Sequence, residues 1–192
     1  MPTVTFITHP DVVIDPTLPV PDWPLSSLGR ARMVRALALP WVAWIGTIWC
    51  STERKARDGA DILAAHLGLP VAERADLGEN DRSATGYLPR AEFEAVADRF
   101  FACPEQSVRG WERAADAQRR IVAAVDYVCA ASVGLGNIAI VSHGGVGTLL
   151  LCHLRGVRIS REHDQPPNNG GNFFAFDAAT HRLHRGWQPI DG

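Results

Sequence analysis

The chain carries a single lysine, Lys55, against 18 arginines, so nearly every cation it places is a guanidinium. It has no Cys-x-x-Cys pair. Its four cysteines, Cys50, Cys103, Cys129 and Cys152, are scattered, which excludes a zinc ribbon or a dithiol redox motif and points to small buried thiols in a reducing compartment. No window approaches the ~18 consecutive apolar residues of a membrane span, and the opening MPTVTFITHPD lacks the basic region and apolar core of a secretion signal, so a cytoplasmic location is expected. Neither sign of charge dominates: a formal net charge of −2 forces no basic face, and composition gives no basis for a nucleic-acid or membrane partner. The Gly-x-Ser-x-Gly elbow of an α/β-hydrolase is missing, as is a Walker lysine after a glycine-rich turn. No internal repeat or linker-like break in composition interrupts the chain.

What is present suffices for one domain over residues 1–192, since a chain of this length buries roughly 70% of the surface it exposes when unfolded. The stretch VTFITHP, residues 4–10, reads as a buried strand that must stop at His9, because Pro10 cannot donate to a ladder and biases its predecessor away from the helical region. NIAIVSHGGVG, residues 137–147, is built the same way and stops at His143. If the two strands are parallel neighbours, both imidazoles lie on the carboxyl rim of one sheet, where α/β folds place their ligands.

Between these stretches the pattern alternates. The loop 11–24 is punctuated by Pro16, Pro19, Pro21 and Pro24, and Ser26 or Ser27 then caps a helix in which Leu28, Ala31, Val34, Leu37 and Ala38 recur at helical spacing. A strand is expected over 45–50, and Ser51 and Thr52 cap a helix that Gly68 stops. The first turn of that helix carries Arg54, Lys55 and Arg57, cations that oppose its dipole unless an anion offsets them. An edge strand over 70–75 leads into a polar loop, 76–89, containing Glu79 and Asp81. Helices are expected over 90–103, over 107–131 and over 148–154, the last reached through a glycine turn, 144–147, whose N–H groups face an anion. Strands over 172–177 and 181–187 read as a closing hairpin. The order predicts an α/β fold, three layers with helices on both faces of a mostly parallel sheet.

Taken together, five segments resemble the histidine phosphatase superfamily, also called phosphoglycerate mutase-like. The family's R-H-G corresponds to Thr8-His9-Pro10, and its P-L-[ST]-x-x-G helix entry to Pro24-Leu25-Ser26-Ser27-Leu28-Gly29. Its S-x-x-x-R-A block corresponds to Ser51–Ala56 with Lys55 at the arginine, its acid loop to Leu77-Gly78-Glu79, and its second-histidine motif to Val141-Ser142-His143-Gly144-Gly145. The resemblance implies a phosphomonoester hydrolase acting on a small phosphorylated substrate, with no metal or other cofactor. His9 would be the nucleophile that carries the phosphoryl group, His143 would stabilise its oxygens, and Glu79 would protonate the leaving group, partial burial keeping that carboxyl protonated. Phosphate, free or esterified, would be held by Thr8, Arg54 or Lys55 and Gly144, with Arg57, Arg82 and Arg109 as further sources of charge. The departures at Thr8, Pro10 and Lys55 admit a second expectation, a member that binds an anion or a protein partner without turnover. Mutase-type phosphotransfer is a third, ranked lower because no insertion forms a closing lid.

Overall fold

The computed structural model describes residues 2–191. Strand β1 (Thr3–Thr8) ends one residue before His9, as the proline requires. Helix α1 (Ser27–Ala36) follows the proline-rich loop, with Ser26 as its N-cap, the side chain accepting from the Gly29 N–H at 3.0 Å. Strand β2 (Ile45–Ser51) leads directly into helix α2 (Arg54–Leu67), which Gly68 stops in the left-handed conformation that a side chain would penalise. Then come edge strand β3 (Val71–Arg74), helix α3 (Arg90–Ala102), helix α4 (Ala114–Ala131), strand β4 (Asn137–Ser142), helix α5 (Gly144–Leu154) and the hairpin of β5 (Asn172–Asp177) and β6 (Leu183–Pro189).

The six strands lie in the order β3-β2-β4-β1-β5-β6. The first four are parallel, and the terminal hairpin adds antiparallel to β1. Alternation along the central strands sorts the core. Val4 and Phe6 of β1 with Ile138 and Ile140 of β4 meet α4 and α5, while Ile7, Ala139 and Val141 meet α1 and α2. The fold is thus a mixed six-stranded sheet between helical layers, with α3 packed outside α4 and α5 through Phe100, Trp111 and Leu149. Among the described residues no helix is long and apolar enough to cross a membrane.

Several elements differ from expectation. On α1 the inward residues are Gly29, Arg32, Met33 and Ala36, while Leu28 and Val34 are 54% and 56% exposed. The apolar spacing named the wrong face because Arg32 is buried by ion pairs, its guanidinium 2.9 Å from both Asp11 and Asp191. The helix expected over 107–131 is two pieces. A single 3-10 turn, Val108–Gly110, is broken from α4 by positive φ at Arg109 and Gly110. Trp111, buried in that break, donates from Nε1 to Thr85. Two of the four thiols, Cys103 and Cys129, are only partly buried.

Candidate active site

The parallel pairing of β1 with β4, Thr8 opposite Ser142, brings His9 and His143 to one rim. Their rings face each other with centroids 5.2 Å apart. His9 is fixed on both sides of its backbone: its N–H donates to Ser142 O at 3.0 Å and its carbonyl accepts from the Gly171 N–H at 3.1 Å. That second contact needs Gly170, at φ +79°, because a β-carbon there would lie 2.2 Å from the His9 carbonyl oxygen. His9 Nδ1 lies 3.0 Å from Pro10 O, which accepts but cannot donate, so Nδ1 carries the proton and Nε2 is left with its lone pair. Burial, then His143 and Lys55, push the His9 pKa well below its ordinary value. Its imidazole is neutral at neutral pH.

His143 is fully buried, with Nε2 2.8 Å from Ser51 Oγ and 3.3 Å from Glu53 Oε1. Its Nδ1 is buried and has no partner. Burial lowers its pKa, although Glu53 and Glu79 pull the other way. Lys55, 3% exposed, is held by Glu53 and by the Val20 carbonyl at 2.9 Å. Glu53 is the residue that sequence reading passed over. Its carboxylate reaches His143, Lys55 and the Glu79 N–H, the last at 2.9 Å from Oε1. Burial by itself would raise the Glu53 carboxyl, but His143, Lys55 and the Glu79 N–H hold it below the ordinary carboxylate range. The one signal for it was position, immediately after two residues read as caps.

Glu79 lies in the same cluster, and its surroundings reverse the argument that burial keeps it protonated. The glycine run is not a turn before a helix; it is the first turn of α5. Two of its free amides are already occupied, Gly145 N–H on Glu79 Oε2 and Val146 N–H on Oε1, each at 3.0 Å. Burial would raise the Glu79 carboxyl, yet Arg82, His143 and the Gly145 amide bring it below its usual value. The carboxylate is therefore an anion already held at that helix end, beside Gly144. Arg120 of α4 supports the loop that carries Glu79, donating to the carbonyls of Asp76, Gly78 and Glu79 and pairing with Glu112.

Other expected ligands lie elsewhere. The Thr8 hydroxyl is fully buried behind His9, donating to Gln165 Oε1 at 2.8 Å and accepting from the Asn172 N–H at 3.0 Å. It has no free face for an anion. Arg54 is exposed, one helical position from Lys55, and Arg57 is exposed and paired with Glu73. Arg109 pairs with Glu92 outside the cluster, whereas Arg82 stands 3.4 Å from Glu79. The structure thus gathers His9, His143, Lys55, Glu79 and Arg82, adds Glu53, turns the Thr8 hydroxyl to Gln165, and leaves Arg54, Arg57 and Arg109 outside the cluster.

A cluster of two facing imidazoles with paired charges is suited to phosphoryl chemistry, and the solved structures agree on the scaffold. A mycobacterial glucosyl-3-phosphoglycerate phosphatase, solved with inorganic phosphate, superposes with a TM-score of 0.81 at 19% identity over 100% of both chains. YhfR of Bacillus stearothermophilus gives 0.78 at 20% identity, over 96% of this chain and 95% of that one. The α-ribazole phosphatase of Shigella flexneri gives 0.70 at 16% identity, over 99% and 96%. The comparison with curated proteins finds no match. The model of the histidine phosphatase superfamily (branch 1) matches residues 19–183, most of the chain, beginning in the proline-rich loop beyond β1 and His9. By that match the chain belongs to the histidine phosphatase superfamily, in its first branch.

Proposed function

We propose that the protein hydrolyses a small phosphomonoester through a phosphohistidine on His9. One observation carries this reading: His9 has its Nδ1 engaged by a backbone carbonyl and its Nε2 free, opposite the buried imidazole of His143. The Nε2 lone pair attacks phosphorus, the bond to the leaving oxygen breaks, and water later attacks the P–N bond and returns the imidazole. Lys55 and His143 offset the charge on the transferred oxygens, which is most of what a loose phosphoryl transition state asks of a protein. The leaving oxygen takes one proton in the first step and water gives one back in the second. Glu79, the carboxyl first considered for that proton, is ionised at rest. The phosphate and vanadate bound by the mycobacterial neighbour support an oxyanion at this rim.

His9→Ala removes the acceptor. Its turnover of an aryl phosphate is expected to fall on the order of 1,000-fold or more, and labelled phosphate trapped on wild-type protein by acid quench should be absent from the variant. A wild-type protein that turns over no member of a broad phosphomonoester panel contradicts the reading. A second reading, anion binding without turnover, draws on the paired state of the charges: Lys55 already faces Glu53, and Arg82 faces Glu79. Binding of inorganic phosphate with no label on His9 selects it.

A further inference from the structure

Counting ionised groups around the two imidazoles gives Glu53 and Glu79 against Lys55 and Arg82, a balanced set. A phosphoryl dianion entering that set adds uncompensated charge. Some group has to take up a proton, or the dianion is poorly held. The candidates facing the rim are His9 after β1, His143 after β4, Glu53 and Lys55 at the start of α2, and Glu79 and Arg82 on the loop before α3.

Geometry separates them. Glu79 has both oxygens engaged by the amides of α5, interactions made only with an ionised or acceptor oxygen, and Arg82 stands beside it. His9 must keep Nε2 unprotonated to attack. Lys55 is a cation already. His143 alone offers a vacant ring nitrogen, Nδ1, fully buried and without a partner, on an imidazole whose other nitrogen lies beside a carboxylate. A carboxylate beside Nε2 fixes the proton there in the neutral ring and stabilises the imidazolium once Nδ1 is protonated as well.

Resting on the phosphatase reading, we infer that Glu53 is a positioning residue for His143, and that binding of a phosphoryl dianion loads a proton onto His143 Nδ1. The loaded ring then donates to the bound oxyanion. In turnover the same proton goes to the leaving oxygen as the P–O bond breaks, and the attacking water restores it to Nδ1. No metal or co-reactant enters the balance. The sequence places this glutamate two residues before the lone lysine, in a block where the family pattern leaves the position open.

Sulfate tests the inference, because it stays a dianion through neutral pH and cannot be hydrolysed. In wild-type protein the association constant for sulfate, measured by calorimetry, is expected to fall about tenfold per pH unit between pH 6.5 and 8, with about one proton taken up per anion. Glu53→Gln keeps an acceptor oxygen but not the charge, and its slope should flatten to less than twofold per unit. Glu79→Gln should retain the tenfold slope. A steep slope that survives in Glu53→Gln, or one that disappears only in Glu79→Gln, overturns the inference. Should Glu53→Gln not fold, nitrogen-15 spectra of wild-type protein decide: His143 is expected as the neutral Nε2–H form when free and doubly protonated with sulfate bound. An Nδ1–H free form, or a ring still neutral with sulfate bound, refutes it. These outcomes are independent of label on His9. Failure to bind either sulfate or inorganic phosphate overturns the phosphatase reading and this one together, whereas a pH-independent affinity overturns this one alone.

Discussion

Gly145 is where a single atom decides the site. A β-carbon there would lie 2.7 Å from Glu79 Oε1, so Gly145→Ala must displace the carboxylate that ties the acid loop to α5. The cost to the fold is expected to be modest, about 1–2 kcal/mol and a few degrees in Tm, because the colliding atom is the end of a flexible side chain. Hydrolysis of an aryl phosphate should fall by about tenfold or more, since a misplacement near 1 Å at reacting groups is that costly. Equal losses in Tm and activity relative to Gly145→Ser would speak for a purely structural glycine. At this scale the sequence was legible where an element ends abruptly, at His9 before a proline and at His143 before glycines. It was not legible where facing direction matters. Arg54, Lys55 and Arg57 are equivalent as letters, but successive helical residues turn by about 100°, and only Lys55 comes inward. Glu53 was passed over because attention to an anion site favours cations, while its partners come from residues as distant as Glu79 and His143.

Helix α1 is held by charge where an apolar stripe was expected. Arg32, 6% exposed, binds Asp11, Asp191 and the Asn168 carbonyl, joining the loop after β1 to the end of β6. Arg32→Ala leaves Asp11 without its cation and Asp191 with the exposed Arg35 alone, and is expected to cost on the order of 3 kcal/mol, read as a lower urea midpoint at unchanged m-value. A loss below about 0.5 kcal/mol would mean that water replaces the guanidinium, as at a surface pair. The elements themselves were largely visible in the sequence, since β1, β2, β4 and α3 begin and end within a residue or two of expectation. Failures came from tertiary context. The break at Arg109 and Gly110 serves Trp111, whose indole reaches Thr85 from another loop, and no local spacing announces that. The glycines 144–147 looked like a turn because glycine is a poor helix former, yet they begin α5. Close approach explains one of them: a β-carbon on Gly147 would lie 2.9 Å from both Phe6 and Trp187.

For the molecule as a whole, two neutral imidazoles, His143 fully buried and His9 partly exposed, set how stability responds to acid. His9 and His143 both have pKa values below the 6.5 of the unfolded chain. The unfolded state therefore binds more protons just below that value, and their contribution is complete above pH 6.5 and lost as pH falls, by at most about 1.4 kcal/mol per unit for each ring. Glu53 and Glu79, also lowered, are complete above the ordinary carboxylate range and add a second loss starting near pH 4. Urea midpoints should thus decline from pH 7 to pH 5, and His143→Gln should flatten that limb; a level profile would contradict neutral rings at these two positions. The lone ammonium group has another consequence. Because Lys55 is the chain's single lysine and sits between Glu53 and the Val20 carbonyl, an amine-selective acylating reagent has one side chain to find, inside the site. Labelling there requires the surrounding loop to part, so the mass of one peptide becomes a clock for the breathing of the cleft, with the 18 arginines silent throughout.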